Sequence, residues 1–152
     1  TDQDQGTLHT VVTELNELVR GFSIGFDQQN PNVEIHFAPE TSFDSILPQY
    51  VLGNAGFFWV WYNPVLEIYR AVILIDSERI PQDLRSPLIR EEVTQILGLM
   101  HDSWRDPESI FYQGHSTTQH YTPTDRQLIR MLHLPEIQPG MDSVAVVAAL
   151  RN

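Results

Sequence analysis

The chain has 152 residues and a formal net charge of −11, from nine basic and twenty acidic side chains. This charge argues against a nucleic-acid partner, because phosphates would be repelled, and it disfavours binding to anionic membranes. With 41% hydrophobic and 10% aromatic residues the composition is that of a globular protein and not of a disordered one. The length predicts a single domain, residues 1–152, able to bury roughly 70% of its unfolded surface.

The sequence contains no cysteine, which excludes a disulfide framework, a thiolate zinc site and a cysteine nucleophile. It has no apolar run long enough to cross a bilayer, so membrane insertion is not expected. The chain begins at Thr1 and shows no signal-like segment. We expect either that a leader has been removed or that the sequence has been trimmed.

The residue pattern in the first third of the chain predicts an amphipathic helix and a strand. Apolar residues recur at helical spacing over residues 8–22, with a break at Gly21, so this helix is expected to cover a core. Residues 33–37 alternate between apolar and polar side chains, which indicates a half-buried strand ending before Pro39. A short helix around Phe43 is expected to follow.

Two more strands are predicted at residues 56–62 and 68–75, joined by a turn at Asn63 and Pro64. The second is apolar enough to lie in the centre of a sheet. The aromatic side chains of the first strand are interpreted as core residues, in preference to residues of a substrate groove. Residues 76–87 are interpreted as a polar connection.

The rest of the chain is interpreted around residues 90–102, which contain most of a predicted helix. Its apolar side chains recur every three or four residues, so one stripe points into a core. Ser86 is the expected N-cap with Pro87 as the first helical residue, and Gly98 is expected to end the helix in a left-handed turn.

A second face of this helix carries the candidate functional side chains. Glu91 and Gln95 stand four residues apart and share that face, and His101 can fold back toward them after the turn at Gly98. Two such side chains one turn apart, a glutamate beside the first, a glycine turn and a third ligand-type residue form the geometry of a metal-dependent peptidase.

These residues resemble the metzincin clan of zinc peptidases, whose motif is HExxHxxGxxH. The sequence reads EExxQxxGxxH, so the three ligand positions of the motif fall on Glu91, Gln95 and His101. Its general base falls on Glu92 and its glycine on Gly98. The resemblance implies an α+β, metzincin-like (zincin) fold: a mixed twisted sheet, an N-terminal helix, an active-site helix and a C-terminal helix.

The resemblance continues downstream. Residues 109–112 stand near the place of the clan's methionine turn, with Phe111 in the methionine position, where it is expected to form a hydrophobic floor under the site. Residues 124–133 are similar to the clan's closing helix, and Thr122 is the expected N-cap. The apolar tail, residues 144–150, is expected to be helical and packed on the core.

A closer similarity is to a family of bacterial exported proteins of unknown function in which the EExxQ form is usual. This similarity implies a periplasmic or extracellular location. It also implies that the departure from the three-histidine motif is a family trait.

A catalytic zinc needs three protein ligands and an open position for a water molecule, whose pKa the metal lowers to roughly 7. Glu91 would offer an anionic oxygen and His101 a nitrogen, but Gln95 only a neutral amide oxygen, and oxygen donors favour calcium, magnesium or manganese over zinc. The expected cofactor is a divalent metal, with zinc as one candidate and its absence left open. His115 and His120 are candidates for a missing ligand.

Each candidate also has a purely structural explanation. Glu92 is alternatively an exposed acid near a helix N-terminus, and His101 a cap at the helix C-terminus. Arg90 is a candidate partner for Glu91 or Asp102, and such a salt bridge would neutralise the carboxylates and argue against a metal.

Two functions from different classes remain open. The first is an exported metal-dependent peptidase with Glu92 as its base. The second is a noncatalytic pseudo-peptidase that serves as a protein-binding or structural module. Both imply a protein or peptide as substrate or partner, and the sequence leaves the oligomeric state open. A GxSxG elbow and a phosphate-binding loop are absent.

Overall fold

The computed structural model describes residues 1–114 and 117–151. These residues form an α+β structure in which helices pack on a three-stranded mixed sheet. The helices are α1 (Asp2–Leu18), α2 (Phe43–Ile46), α3 (Gln82–Gln95), α4 (Pro123–Leu132) and α5 (Ser143–Ala149). The strands are β1 (Val33–Ala38), β2 (Gly56–Tyr62) and β3 (Ile68–Asp76).

Strand β3 lies in the centre of the sheet, as its apolar sequence predicted. It pairs in parallel with β1 and antiparallel with β2, in the order β1-β3-β2. The hairpin between β2 and β3 is confirmed, and the Asn63 side chain accepts hydrogen bonds from the backbone N–H groups of Val65 and Glu67 within its turn. The hairpin brings the first residue of β2, Gly56, opposite Ile75 near the end of β3.

The two faces of the sheet are covered differently. One face packs on α1 and α3 and forms the larger core cluster, to which Ile73 and Ile75 contribute. The alternate residues Val72 and Leu74 belong to a smaller cluster under α2, where Phe43 is fully buried. The short helix predicted near Phe43 is therefore confirmed, and it closes the second face.

The aromatic residues of β2 are more exposed than the interpretation as core residues implied. Trp59 is 39% and Tyr62 59% exposed. Trp61 packs against the smaller cluster, and the Arg70 guanidinium lies 4.8 Å from the centre of its ring. A strand at the edge of a small sheet has fewer neighbours to cover large rings, which accounts for the exposure.

Helix α1 begins with a capping box between Thr1 and Asp4 and ends at Leu18, earlier than its apolar pattern suggested. The chain leaves the helix at Val19, whose backbone is extended, and Gly21 then turns it with a φ of +88°. The Asn16 side chain then bonds both the N–H and the carbonyl of Ile24, folding the segment back along the helix.

Helix α3 starts five residues before the predicted start, so the assignments of Ser86 as N-cap and of residues 76–87 as a polar connection are wrong. Pro81 precedes the first turn, and Pro87 lies inside the helix. Arg85 stabilises this turn from a buried position: it pairs with Asp4 of α1 at 2.8 Å and donates to the carbonyls of Ser77 and Ile80. These long-range bonds offset the backbone hydrogen bond lost at Pro87.

Helix α5 forms in the apolar tail, as predicted. The prediction that it packs on the core is wrong, because none of its residues is buried. Val144 is 75% and Val147 47% exposed. The segment SVAVVAA is short and apolar on all sides, so its sequence specifies no single face for burial.

Candidate functional site

Glu92 is buried where α3 packs against the start of β2, and its side chain is the centre of the candidate site. Only 6% of the residue is exposed. Its Oε1 atom lies so close to Gly56 that a methyl group on that glycine would overlap it. The alternative of an exposed acid near the helix N-terminus is therefore wrong, since Glu92 lies in the C-terminal half of α3.

The other oxygen of Glu92, Oε2, is buried and has no hydrogen-bond partner among residues 1–114 and 117–151. Burial raises the pKa of Glu92 well above its usual value, and the nearby charges of Glu91 and Asp102 raise it further. Leaving a buried carboxylate oxygen unpaired costs roughly 1–3 kcal/mol or more. Packing alone gives no compensation for this cost.

Glu91 is partly buried beside Glu92. Burial, with a further contribution from the charge of Asp102, raises the pKa of Glu91 to about 8. None of the ion pairs formed within the described part of the chain includes Glu91, Glu92 or Asp102. Repulsion from the neighbouring acids therefore disfavours ionisation of Glu91 and Glu92, whereas the charge of His101 partly offsets this effect at Asp102.

Arg90 does not form the salt bridge with Glu91 or Asp102 for which the sequence made it a candidate. Its guanidinium pairs with Glu14 of α1 and lies over the ring of Tyr121, 4.5 Å from the ring centre. Consecutive residues on a helix point about 100° apart. Arg90 therefore points toward α1, while Glu91 and Glu92 lie on other faces of α3.

Gln95, the last residue of α3, is bound to Asp102 by a short hydrogen bond. Its Nε2 donates to Asp102 Oδ1 at 2.6 Å, and only 5% of Gln95 is exposed. The turn expected at Gly98 is confirmed, with a φ of +126° and a hydrogen bond from the Gly98 N–H to the Gln95 carbonyl. The turn returns the chain to the end of the helix and places Asp102 beside the acids.

Asp102 was considered in the sequence only as a partner for Arg90, and its place in the site was missed. Asp102 is exposed as a residue, but partial burial of its carboxyl raises its pKa, while the hydrogen bond from Gln95 and the neighbouring His101 act in the opposite direction. The signal for its position was its place just after the candidate ligand His101, beyond a turn that reverses the chain.

The metal ligands predicted from the motif remain a prediction. Across residues 1–114 and 117–151 there is no group of three or more His, Cys, Asp or Glu side chains arranged to hold a metal ion. The predicted set of Glu91, Gln95 and His101 contains only two such residues, because its third member is an amide. His101 and His120 are exposed, and His115 lies outside the described residues.

Phe111 is buried, with 5% exposure, and belongs to the larger core cluster. Its loop is held at two points. The Phe111 carbonyl accepts from the Ser103 N–H at 2.8 Å, and Asp125 of α4 accepts from the Ser109 hydroxyl and the Ile110 N–H. Its role as a floor under the site remains a prediction.

Asp125 also accepts the Thr122 N–H, and its own N–H bonds the Thr122 hydroxyl. This confirms Thr122 as the N-cap of α4, and the structure adds a capping box with Asp125. One buried carboxylate therefore ties the loop that follows the site to the helix that closes the chain.

A large groove of about 1430 Å³ lies on another side of α3. Val93, Ile96 and Gly98 line it, together with residues of β1 and of the segment after α1. Glu91, Glu92, Gln95 and Asp102 do not line it. The acids therefore form a separate site from this mostly apolar groove.

Within the described residues, no helix is both long and apolar enough to cross a membrane. No curated protein and no solved structure matches the chain. Residues 1–152 match the sequence profile of a family described as "Protein of unknown function (DUF2927)". Since this match spans the full length given, the chain belongs to the DUF2927 family.

Proposed function

We propose that this protein is a metal-dependent peptidase of metzincin-like fold, with Glu92 as general base and with Glu91, Gln95 and His101 as the ligand set. One observation carries the proposal. Glu92 is a buried carboxylate that lies beside a second acid of raised pKa, and one of its oxygens has no hydrogen-bond partner among the residues that the structure describes.

Neither Glu91 nor Glu92 forms an ion pair within residues 1–114 and 117–151. Burial and mutual repulsion disfavour the ionised forms of Glu91 and Glu92, and Arg90 is engaged elsewhere. A fold gains nothing from such a pair unless the acids exchange protons or attract a cation. Groups with strongly perturbed pKa values of this kind cluster at functional sites.

The donor atoms suit a divalent ion harder than zinc. Glu91 offers carboxylate oxygen, Gln95 a carbonyl oxygen and His101 an imidazole nitrogen, and oxygen donors favour manganese, magnesium or calcium. When bound, such an ion supplies Lewis-acid polarisation of a carbonyl group and acidifies a water molecule. Its positive charge would also lower the pKa values of Glu91 and Glu92.

Glu92 would then act as the proton acceptor. In the ionised form its Oε2 has the free lone pairs that a general base needs, because no group of residues 1–114 or 117–151 bonds to it. Gly56 leaves room for the carboxylate at the start of β2. The metzincin relationship and an exported location belong to this proposal and rest on the resemblance of the EExxQxxGxxH segment.

A second candidate is a noncatalytic pseudo-peptidase that binds a protein or peptide. The hydrogen bond between Gln95 and Asp102 favours it, because that bond already uses one polar end of a predicted ligand. Under this alternative the acids would be a remnant of an ancestral site.

The first test is the metal content of protein purified without chelators, measured by elemental mass spectrometry. We expect about one equivalent of a divalent ion in the wild type and in Glu108→Gln, which removes an exposed acid from the neighbouring loop. His101→Ala should lose the ion. Absence of metal from the wild type, even after incubation with manganese, calcium or zinc, would refute the metallopeptidase proposal.

The second test separates enzyme from binding module. Hydrolysis of a peptide library should be lost in Glu92→Gln and retained in Glu136→Gln, which changes an exposed acid outside the site. A metal-loaded wild type that cleaves no peptide would favour the noncatalytic alternative.

A further inference from the structure

We propose that the outer edge of β1 and the apolar groove beside it bind an extended peptide that carries basic side chains. The peptide would add to the sheet as a further strand and place every second side chain in the groove. Glu91 and Glu92 do not line this groove, so the inference is independent of the proposed metal site.

The hydrogen bonds of β1 leave one edge of the strand open. Backbone N–H groups of β3 and of the residue after it donate to the carbonyls of Asn32 and Ala38. In a parallel pair such bonds fall on alternate residues, so the even-numbered residues of β1 bond β3. The residues whose N–H and carbonyl groups point outward are Val33, Ile35 and Phe37. In the described part of the chain, β1 is the last strand of the sheet on this side.

The outward-pointing residues are also the residues of β1 that line the groove. Val33, Ile35 and Phe37 border it, whereas Glu34 and His36 do not. Side chains alternate between the two faces of a strand, and these three pack against the larger core cluster. The six residues of β1 extend over roughly 20 Å. A peptide strand on this edge would therefore find backbone partners and an apolar surface along one line.

The groove continues this apolar surface beyond the sheet. Further lining side chains come from α1 and from the segment after it: Leu8, Val12, Phe22, Ile24 and Phe26. Phe22 is 49% and Phe26 55% exposed. Exposed rings beside an apolar groove are typical of surfaces that bind a partner.

The two edges of the sheet differ in regularity. The pairing of β1 with β3 is unbroken from its first residue to its last, whereas the register of β2 shifts between Trp61 and Tyr62. Irregularities of that kind restrict the addition of another strand. Pro31 and Pro39 flank β1 without interrupting it. The regular edge is therefore the one suited to a further strand.

The charges of the groove favour a basic peptide. Asp27 and Glu67 line it, and neither forms an ion pair within the described part of the chain. The other Asp, Glu, Lys or Arg side chains of the lining, Asp4 and Arg70, are each paired. The chain as a whole carries a net charge of −11. Complementarity therefore favours lysine and arginine in the peptide and disfavours acids.

The probe is a fluorescein-labelled octapeptide of alternating valine and lysine, and its binding to the full chain is measured by fluorescence anisotropy. We expect saturable binding that weakens as the salt concentration rises. A matched octapeptide with glutamate in place of lysine should not bind. Equal binding of the two peptides would overturn the assignment of a basic partner.

Backbone pairing is tested by N-methylation of the same probe. Methyl groups on the backbone nitrogens of all valines block one edge of the peptide strand, and methyl groups on those of all lysines block the other. Because only one edge can pair with β1, one set should abolish binding and the other should retain it. Equal effects of the two sets would overturn the addition of a strand.

A variant of β1 tests the same pairing from the side of the protein. Ile35→Pro removes an outward N–H and no bond to β3, and proline is tolerated at such edge positions. Ile35→Ala is its control, because it also shortens the side chain but retains the N–H. We expect the Kd of Ile35→Pro to be at least ~10-fold higher than that of Ile35→Ala. Thermal unfolding of both variants separates this effect from loss of the fold.

A second variant leaves the strand unchanged and removes the groove charges. In Asp27→Asn with Glu67→Gln, amide oxygens can still accept the hydrogen bonds that the two acids accept now. This variant should raise the Kd of the basic octapeptide roughly 3–10-fold and make it less dependent on salt. Asp44→Asn with Glu108→Gln is the control, since it removes two exposed acids that do not line the groove. Equal affinities of the two double variants would overturn the role of the groove charges.

A second copy of this chain is the other occupant that an open strand edge admits. Sedimentation velocity of the protein alone tests this alternative, and we expect a monomer. A dimer that is lost in Ile35→Pro would overturn the peptide proposal in favour of pairing between two β1 strands. Absence of saturable binding of the basic octapeptide would overturn the site itself.

Discussion

At the scale of single residues, Glu91 and Glu92 show the effect of burying adjacent carboxylates without a cationic partner. Glu91 has its pKa raised to about 8 by burial and by the charge of Asp102. Glu92 is also shifted upward, and its oxygen Oε2 is unpaired within the described part of the chain. Both acids therefore retain their protons at a pH where unfolded glutamates have lost them.

The first prediction concerns stability and pH in the metal-free protein. Between the unfolded pKa of 4.5 and the folded pKa of about 8, the folded state holds the Glu91 proton and the unfolded state does not. The free energy of unfolding should therefore fall as the pH rises through this window, by at most ~1.4 kcal/mol per pH unit for this group. Glu91→Gln should show a shallower fall and be the more stable protein at pH 8.

Urea unfolding at several pH values, in the presence of a chelator, measures this effect. Glu108→Gln, which changes an exposed acid in the neighbouring loop, should retain the wild-type slope. An unchanged slope in Glu91→Gln would contradict the assignment of the raised pKa to this side chain.

The second prediction concerns Gly56. A Cβ there would overlap Glu92 Oε1 and lie 2.6 Å from Leu88 Cδ1, so Gly56→Ala must displace both side chains. We expect a loss of ~1–3 kcal/mol in stability, as for other overpacked sites. Gly25→Ala is the matched control because its new methyl group would meet no atom within 4 Å, and it should change stability by less than about 0.5 kcal/mol.

Chemical denaturation of both variants gives the comparison. Equal stabilities would mean that Glu92 does not pack against Gly56.

The burial of Glu92 was not predictable from the sequence, because it depends on a glycine in β2 that is distant along the chain. The local pattern of α3 gives no sign of that neighbour.

At the scale of elements, the features that were predicted are those fixed by nearby residues. The hairpin turn depends on Asn63, and the start of α4 depends on the capping box of Thr122 and Asp125. The start of α3 was missed because it depends on Arg85 bonding Asp4 of another helix. Its end was predicted because Gly98 acts locally.

The third prediction tests the register of α3 against the loop that carries His101. Glu91→His with Gln95→His restores three histidines at the spacing of a zinc site. If the loop returns as the structure shows, this variant should bind zinc at least ~100-fold more tightly than the wild type, by competition titration with a chromophoric chelator. Tetrahedral coordination by three imidazoles supplies the physical reason.

A variant with Glu91→His and Glu108→His is the control, because it has the same number of histidines but one lies out of register. Equal zinc affinities of the two variants would show that His101 does not approach this face of α3.

At the scale of the whole molecule, the sheet separates two cores. The site lies on the side of α1 and α3, and the cluster around Phe43 lies on the opposite face. The α+β class and the central position of β3 were predictable from hydrophobic patterning. The exposure of α5 was not, because a uniformly apolar segment does not indicate what it packs against.

The fourth prediction uses this separation. Phe43→Ala should lower the free energy of unfolding by ~3–5 kcal/mol, since Phe43 is fully buried. In the remaining folded protein, metal affinity should not change. Ile89→Ala, at an equally buried position on α3, should cost ~2–5 kcal/mol and also weaken metal binding.

Calorimetric titration at a temperature where each variant is folded measures the affinity, and urea unfolding measures the stability. A weakened site in Phe43→Ala would mean that the two faces of the sheet are coupled.

The unpaired oxygen of Glu92 also has an evolutionary consequence. A chain selected only for folding would be expected to lose this acid, because an apolar side chain of similar size, such as methionine, would fill the space beside Gly56 and Leu88 without a buried charge. Under the proposed function, selection for chemistry and selection for stability oppose each other at position 92. Lineages freed from the first constraint should drift there toward apolar residues before the rest of the helix changes.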